Sequence, residues 1–133
     1  MTALPPLVVS AVAVLRERRV LMVTARGRDV LYLPGGKVDP GETGAEAAAR
    51  EAREELGASP TSLDELFTVR AQAHGEPEGR EVHMRVFAAE LDAAPRPSGE
   101  IDSLHWVASV DAHRCPPAGV ETLERLHALG LVD

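Results

Sequence analysis

Apolar and polar positions divide this chain into segments of two periods. Leu7 to Leu15 is an apolar, β-branched run and Val20 to Thr24 resembles it, with the polar stretch Arg16-Glu17-Arg18-Arg19 between them. Two such runs around a short polar break predict a β-hairpin. Val30-Leu31-Tyr32-Leu33 reads as a short strand that stops at Pro34-Gly35-Gly36. Proline withholds a backbone donor there, and the glycines open a loop that continues through Pro40-Gly41-Glu42. Glu65 to Ala73 and Val82 to Leu91 alternate well enough to be strands, joined by a polar loop with Gly75, Pro77 and Gly79. Leu104 to Val107 adds a further short strand.

Helical period appears twice. Thr43 can act as an N-cap, and Glu46 stands at the spacing of a capping box, so a helix is expected to start there and run to about Leu56, ended by Gly57. Ala45, Ala48, Ala49, Ala52 and Leu56 then share an arc of about 100°, a stripe of mostly small side chains that lets the helix lie close against a sheet. From Gly119, the positions Val120, Leu123, Leu126, His127 and Leu129 follow a second helical period up to Gly130. No internal repeat or low-complexity tract interrupts this order, and Ala93-Ala94-Pro95-Arg96-Pro97 is only locally biased.

The 133 residues suit one domain, and a chain that is 44% hydrophobic and 26% charged belongs with ordinary globular proteins. A single thiol, Cys115, leaves no internal disulfide and fits a reducing cytoplasm. Met1-Thr2-Ala3-Leu4-Pro5-Pro6 carries no basic segment, and the apolar run after it is too short to span a bilayer, so a cytoplasmic protein without a membrane partner is expected. A formal net charge of −7 argues against a nucleic-acid polymer as partner. A small anion stays open, because a divalent metal and one or two arginines can meet its charge locally.

Within the first helix, Glu51, Glu54 and Glu55 project from one side, at spacings that make them neighbours. Like charges at this spacing repel by only a few tenths of a kcal/mol per pair, so the acidic arc by itself reads first as a solvated helix face and the context must decide. The glycine loop in front of it and the arginine inside it favour chemistry. Carboxylates on a rigid helix, with a nearby loop carbonyl, offer the hard oxygen ligands that Mg²⁺ takes, whereas zinc would call for His or Cys. Arg50 can reach back as a fork toward a carboxylate, for which Glu42 is the candidate, and so act as an orienter.

Read in order, Gly36, five residues, Glu42, seven residues, then Arg50-Glu51-Ala52-Arg53-Glu54-Glu55-Leu56-Gly57-Ala58 resembles the Nudix box at every fixed position. The two aliphatic positions are filled by Ala52 and Ala58, a mild departure that bears on packing and not on chemistry. The strand pattern on both sides and the final helix extend the likeness over residues 1–133 as a single domain. The resemblance implies an α/β/α sandwich with a mixed β-sheet between the box helix and a C-terminal helix. It also implies a hydrolase that cuts a diphosphate linkage with Mg²⁺, for which Mn²⁺ could substitute. Glu51, Glu54 and Glu55 match the metal-binding glutamates of the box, and the carbonyl of Gly35 matches a loop ligand common in the family.

In such a reaction water attacks phosphorus, and a carboxylate must take the water's proton. Glu51 and Glu54 are candidates within the box, and Glu81 and Glu100 are candidates outside it for a base or an extra ligand. Arg26, Arg28 and Lys37 flank the box and are candidates for phosphate oxygens. Tyr32 is the nearest to the box of four aromatics and a candidate wall for a nucleobase, while Trp106 suits the core. The five histidines show no paired helical spacing and read as structural or exposed, and Cys115 has no evident base to activate it. No proline stands about 15 to 17 residues after the box, as in ADP-ribose hydrolases, nor the tyrosine of dinucleoside polyphosphate hydrolases, nor the tail of NADH diphosphatases. What remains resembles small MutT-like enzymes that cleave nucleoside triphosphates. A diphosphatase of nucleotide sugars and a non-catalytic Nudix domain that binds a nucleotide or a protein are the alternatives. Either a monomer or a homodimer is compatible with the sequence.

Overall fold

The computed structural model describes residues 4–133, so the reading of Met1-Thr2-Ala3 lies outside the described residues. In chain order the elements are β1 (Leu7–Ala13), β2 (Leu15–Arg16), β3 (Arg19–Ala25), β4 (Gly35–Lys37), α1 (Gly44–Leu56), β5 (Pro60–Gln72), β6 (Glu81–Leu91), β7 (Ile101–Val107), a 3₁₀ turn (Ser109–Arg114) and α2 (Pro117–Ala128). A four-stranded mixed sheet has the order β4-β1-β6-β5, and a three-stranded antiparallel sheet has the order β2-β3-β7.

Alternation along the strands sorts the core onto two sides. Ala11, Ala13, Val20, Met22 and Val86 pack with Leu123 and Leu126 of α2, whereas Val12, Leu21, Val23, Phe87 and Ala89 pack with Ala48, Ala52 and Leu56 of α1. Successive residues of a strand point to opposite faces, so the two helices cover opposite sides of the sheets and the architecture is an α/β/α sandwich. Of the expected stripe, Ala48, Ala52 and Leu56 are fully buried and Ala45 and Ala49 partly so, while Ala47, outside the stripe, is fully buried too.

Several details differ from the expected elements. The long hairpin is not formed: only Leu15 and Arg16 pair with β3, through a turn in which Glu17 and Arg18 have φ of 49° and 61°. Such a two-residue turn with two positive φ values matches the twist of the strands it joins. β1 instead runs between β4, antiparallel, and β6, parallel. The reason is visible in its last residues, since Ala11, Val12 and Ala13 are all fully buried. A continuous apolar run is the mark of a strand covered on both faces, not of a hairpin arm with one wet face. Val30 to Leu33 makes only an isolated bridge, Tyr32 with Val23, while Gly35–Lys37, expected as loop, pairs with Ala11, Ser10 and Val9.

The box helix begins and ends where the sequence places its signals. The Thr43 hydroxyl accepts from the Glu46 N–H at 3.1 Å, and the Glu46 carboxylate accepts from the Thr43 N–H at 2.9 Å. Gly57 closes the helix with φ of 65° and donates its N–H to the Arg53 carbonyl at 3.1 Å. α2 starts earlier than its apolar period suggests, at Pro117, because proline suits the first helical position. Among the described residues no helix is long and apolar enough to cross a membrane.

Candidate active site

β4 brings the glycine loop against the box helix, and the fit leaves no room for side chains. A Cβ on Gly35 would stand 2.7 Å from the Ala11 Cα and close on the Ser10 carbonyl, both backbone of β1. A Cβ on Gly36 would instead run into the Glu51 carboxylate, with its Cδ 2.6 Å away. The two glycines therefore serve different ends: Gly35 lets the sheet close, and Gly36 lets the backbone touch a carboxylate. Gly36→Ala is expected to leave the melting temperature nearly unchanged, because the end of a flexible side chain can yield, while activity falls as Glu51 is displaced. Gly35→Ala is expected to lower the melting temperature, because backbone cannot yield. Thermal unfolding beside an activity assay separates the two.

Arg50 organises the acidic side chains. Its Nε donates to Glu42 Oε2 at 2.8 Å and its Nη2 donates to Glu42 Oε1 at 3.0 Å, a two-pronged grip on one carboxylate. Nη1 donates to Glu51 Oε1 at 2.8 Å, and Nη2 also donates to the Lys37 carbonyl at 3.0 Å. Glu42 accepts besides from the Asp39 N–H at 3.0 Å. The Arg50 guanidinium and that amide hold the Glu42 carboxyl down at about 2, and in return Glu42 and Glu51 push the Arg50 pKa up. One cation thus ties the loop before the helix to the first glutamate on it.

Of the three glutamates, Glu55 is the one held by the glycine turn. It accepts from the Gly35 N–H at 3.0 Å, and burial pushes its carboxyl up to about 8, against the pull of that amide and with help from Glu51 and Glu54. Glu54 is open, with its side chain 57% exposed, while that of Glu51 is 14% exposed. Because Glu55 ordinarily titrates near 4.5 and here near 8, the folded protein keeps a proton that the unfolded chain has lost between those values. The stability from this proton is fully present below 4.5 and is lost as pH rises to 8. Protein held in chelator is expected to melt at lower temperature at pH 8 than at pH 5, and Glu55→Gln is expected to flatten that slope.

Glu51, Glu54 and Glu55 line one side of a cleft of about 860 Å³ that both sheets and the start of α2 enclose. Gly35, Gly36, Lys37, Tyr32 and Glu100 line the same cleft. Arg50 does not line the cleft but stands behind it, bonded to Glu51. Arg26 and Arg28, expected at phosphate oxygens, do not line the cleft. They lie exposed in the turn after β3, where Gly27 has φ of 75°. Glu81 is paired with His83 at 3.0 Å and does not line the cleft either. Trp106 packs against the core beneath the Arg16 guanidinium. Sequence reasoning passed over His74 and Gln72, which do line the cleft. Neither carries a local signal, since their relevance comes from a loop folding back on the sheet.

The donors are all oxygens, of the kind that suits a small hard divalent ion, and the carboxylates of Glu51 and Glu54 beside Glu55 are charge that such an ion would neutralise. Among the described residues, no three carboxylate, imidazole or thiolate groups converge on one point as they stand, with Glu51 turned to Arg50 and Glu55 to the Gly35 amide.

The family model described as the NUDIX domain matches residues 4–127. The chain belongs to the Nudix family. Among solved structures, this Nudix hydrolase is similar to the MutT NUDIX hydrolase from Burkholderia pseudomallei, at 26% identity over 98% of this chain and 100% of that one, with a TM-score of 0.72. It is also similar to the E. coli ORF135 protein, at 25% identity over 93% of this chain and 90% of that one, with a TM-score of 0.76. A Caenorhabditis elegans Ap4A hydrolase shares the fold at 23% identity over 94% of this chain and 97% of that one, with a TM-score of 0.72. No curated protein matches the chain. Nudix hydrolases generally depend on a divalent metal and act on small nucleotide substrates.

Proposed function

We propose that this protein is a Mg²⁺-dependent, MutT-like pyrophosphohydrolase that cleaves a nucleoside triphosphate to a nucleoside monophosphate and pyrophosphate. The observation that carries the reading is the set Glu51, Glu54 and Glu55 at one wall of the cleft, braced from behind by Arg50 and backed by the Gly35-Gly36 turn. Glu51, Glu54, Glu55 and the Gly35 carbonyl are the groups that would hold the metal. When bound, Mg²⁺ offsets phosphate charge and lowers the pKa of a coordinated water. Mn²⁺ is expected to substitute.

The chain's own residues supply position and proton transfer. Water adds to phosphorus as the anhydride P–O bond breaks, and its proton passes to a carboxylate. Glu100, which enters the cleft from the loop before β7, is a candidate acceptor from outside the box beside Glu51 and Glu54. That loop is fastened to the end of α1, since the Arg96 N–H donates to the Leu56 carbonyl at 2.9 Å and the Ser98 N–H donates to the Glu55 carbonyl at 3.1 Å. Lys37, which lines the cleft and is exposed, is the candidate for a phosphate oxygen, and Tyr32 for the base.

A panel of nucleoside triphosphates, nucleotide sugars and dinucleoside polyphosphates, with products identified by chromatography, tests the substrate class. Monophosphate and pyrophosphate from a triphosphate are expected. Turnover confined to nucleotide sugars would replace this reading with the sugar diphosphatase. Nucleotide binding without turnover of any member would indicate a binding domain.

A further inference from the structure

A nucleotide needs a place for its base as well as for its phosphates, and the cleft offers few flat surfaces. Of the four aromatic residues, three are engaged elsewhere. Phe87 is 3% exposed in the core, Phe67 lies under the Arg125 guanidinium at 5.3 Å, and Trp106 lies under that of Arg16 at 5.1 Å. Only Tyr32 lines the cleft, and the His74 imidazole stands against it with ring centroids 6.1 Å apart and planes at 68°. The two rings form a corner. A planar base that lies flat on one ring meets the other edge-on, an arrangement that aromatic quadrupoles favour.

The loop that carries His74 is held by the residue at its base. The Gln72 side chain spends its polar atoms on the loop that carries His74: Nε2 donates to the carbonyls of Ala73 at 3.2 Å and Pro77 at 3.0 Å, and Oε1 accepts from the Gly79 N–H at 2.9 Å. The Ala73 N–H donates to the Arg80 carbonyl at 2.8 Å and closes the loop at its base. Tyr32 is anchored from its own side by paired backbone bonds to Val23 at 2.8 Å and 3.0 Å. Tyr32 also stands three residues before Gly35, whose amide holds Glu55, so no more than roughly 11 Å of chain separates the corner from the acidic wall. A sugar and its first phosphates fill such a gap.

We propose that Tyr32 and His74 form the corner that receives the nucleobase of the substrate, and that Gln72 is the positioning residue that holds His74 there. This rests on the nucleotide reading given above. The test is steady-state kinetics with Mg²⁺ on ATP, GTP, CTP and UTP for wild type, His74→Ala, Tyr32→Ala, Tyr32→Phe and Gln72→Ala, with pyrophosphate as inhibitor in parallel. Stacking contributions of the usual size predict that KM for the preferred nucleotide rises about tenfold in His74→Ala and in Tyr32→Ala, and that Tyr32→Phe, which keeps the ring, recovers most of the loss seen in Tyr32→Ala. The loss falls on KM rather than kcat, as for groups that bind substrate and transition state alike. Gln72→Ala raises KM in the same sense, by less. Inhibition by pyrophosphate, which has no base, is expected to be equal in all five proteins. His74 is exposed on a loop, so its replacement does not threaten the fold, and a melting curve checks this. An unmoved nucleotide KM in His74→Ala, or weaker pyrophosphate inhibition in step with it, overturns the corner while leaving the hydrolase reading intact. Failure of wild type to hydrolyse any of the four overturns the nucleotide reading and the corner with it.

Discussion

Glu54→Gln and Glu55→Gln are each expected to lower kcat/KM for the preferred nucleotide by about 10²- to 10⁴-fold at saturating Mg²⁺. The substitution keeps shape and removes charge. In Glu55→Gln the amide oxygen can still accept from the Gly35 N–H, and the burial that pushes this carboxyl up to about 8 favours a neutral side chain, so the fold is not at risk. What is lost is an anionic ligand, since a divalent ion draws the proton off a carboxyl but cannot make an amide anionic. Glu54 is exposed and bears little on the core, so its variant tests the same point free of packing. Circular dichroism confirms folding, and initial rates supply the result. Unchanged turnover in both variants would remove the metal assignment.

Arg50→Ala is expected to reduce activity about 10- to 100-fold, with a higher Mg²⁺ requirement, as for residues that orient metal ligands from behind. The guanidinium grips Glu42 with two donors, Glu51 with a third, and shares a fourth bond with the Lys37 carbonyl, so its removal frees the first glutamate and the loop together. Arg50→Lys is expected to rescue little, because an ammonium is a point charge that cannot make the two-pronged contact. A Mg²⁺ titration of the initial rate for both variants is the measurement. Full rescue by lysine would show that only charge matters at this position.

The parts of the fold that were legible in the sequence are those fixed by local chemistry. Thr43 and Glu46 announce the start of α1 because the capping box is a bond between near neighbours, and Gly57 marks its end because few other residues adopt that backbone geometry. The spacing of Glu51, Glu54 and Glu55 likewise follows from helical period alone. Pairing between distant segments was not legible. Leu7 to Leu15 and Val20 to Thr24 look like two arms of one hairpin, and nothing local shows that β1 leaves for β6 on the far side of the chain. Gly35–Lys37 has no strand signal, and forms β4 only because β1 offers it an edge. The same limit governs the site. Arg26 and Arg28 are near the box in sequence and outside the cleft in space, whereas His74 is far from it in sequence and beside Tyr32 in space. Substrate chemistry is written in such distant contacts, which is why the acidic wall of the cleft could be read residue by residue, whereas His74 beside Tyr32 could not.

If the acidic face of α1 is the seat of a metal-dependent hydrolysis, turnover must follow the metal. The decisive measurement is pyrophosphate release from the preferred nucleoside triphosphate as Mg²⁺ is titrated into chelator-treated protein. No release is expected without metal, a saturable rise with Mg²⁺ or Mn²⁺ in wild type, and little or none in Glu55→Gln. Equal release in chelator, or an identical metal response in wild type and Glu55→Gln, would contradict it.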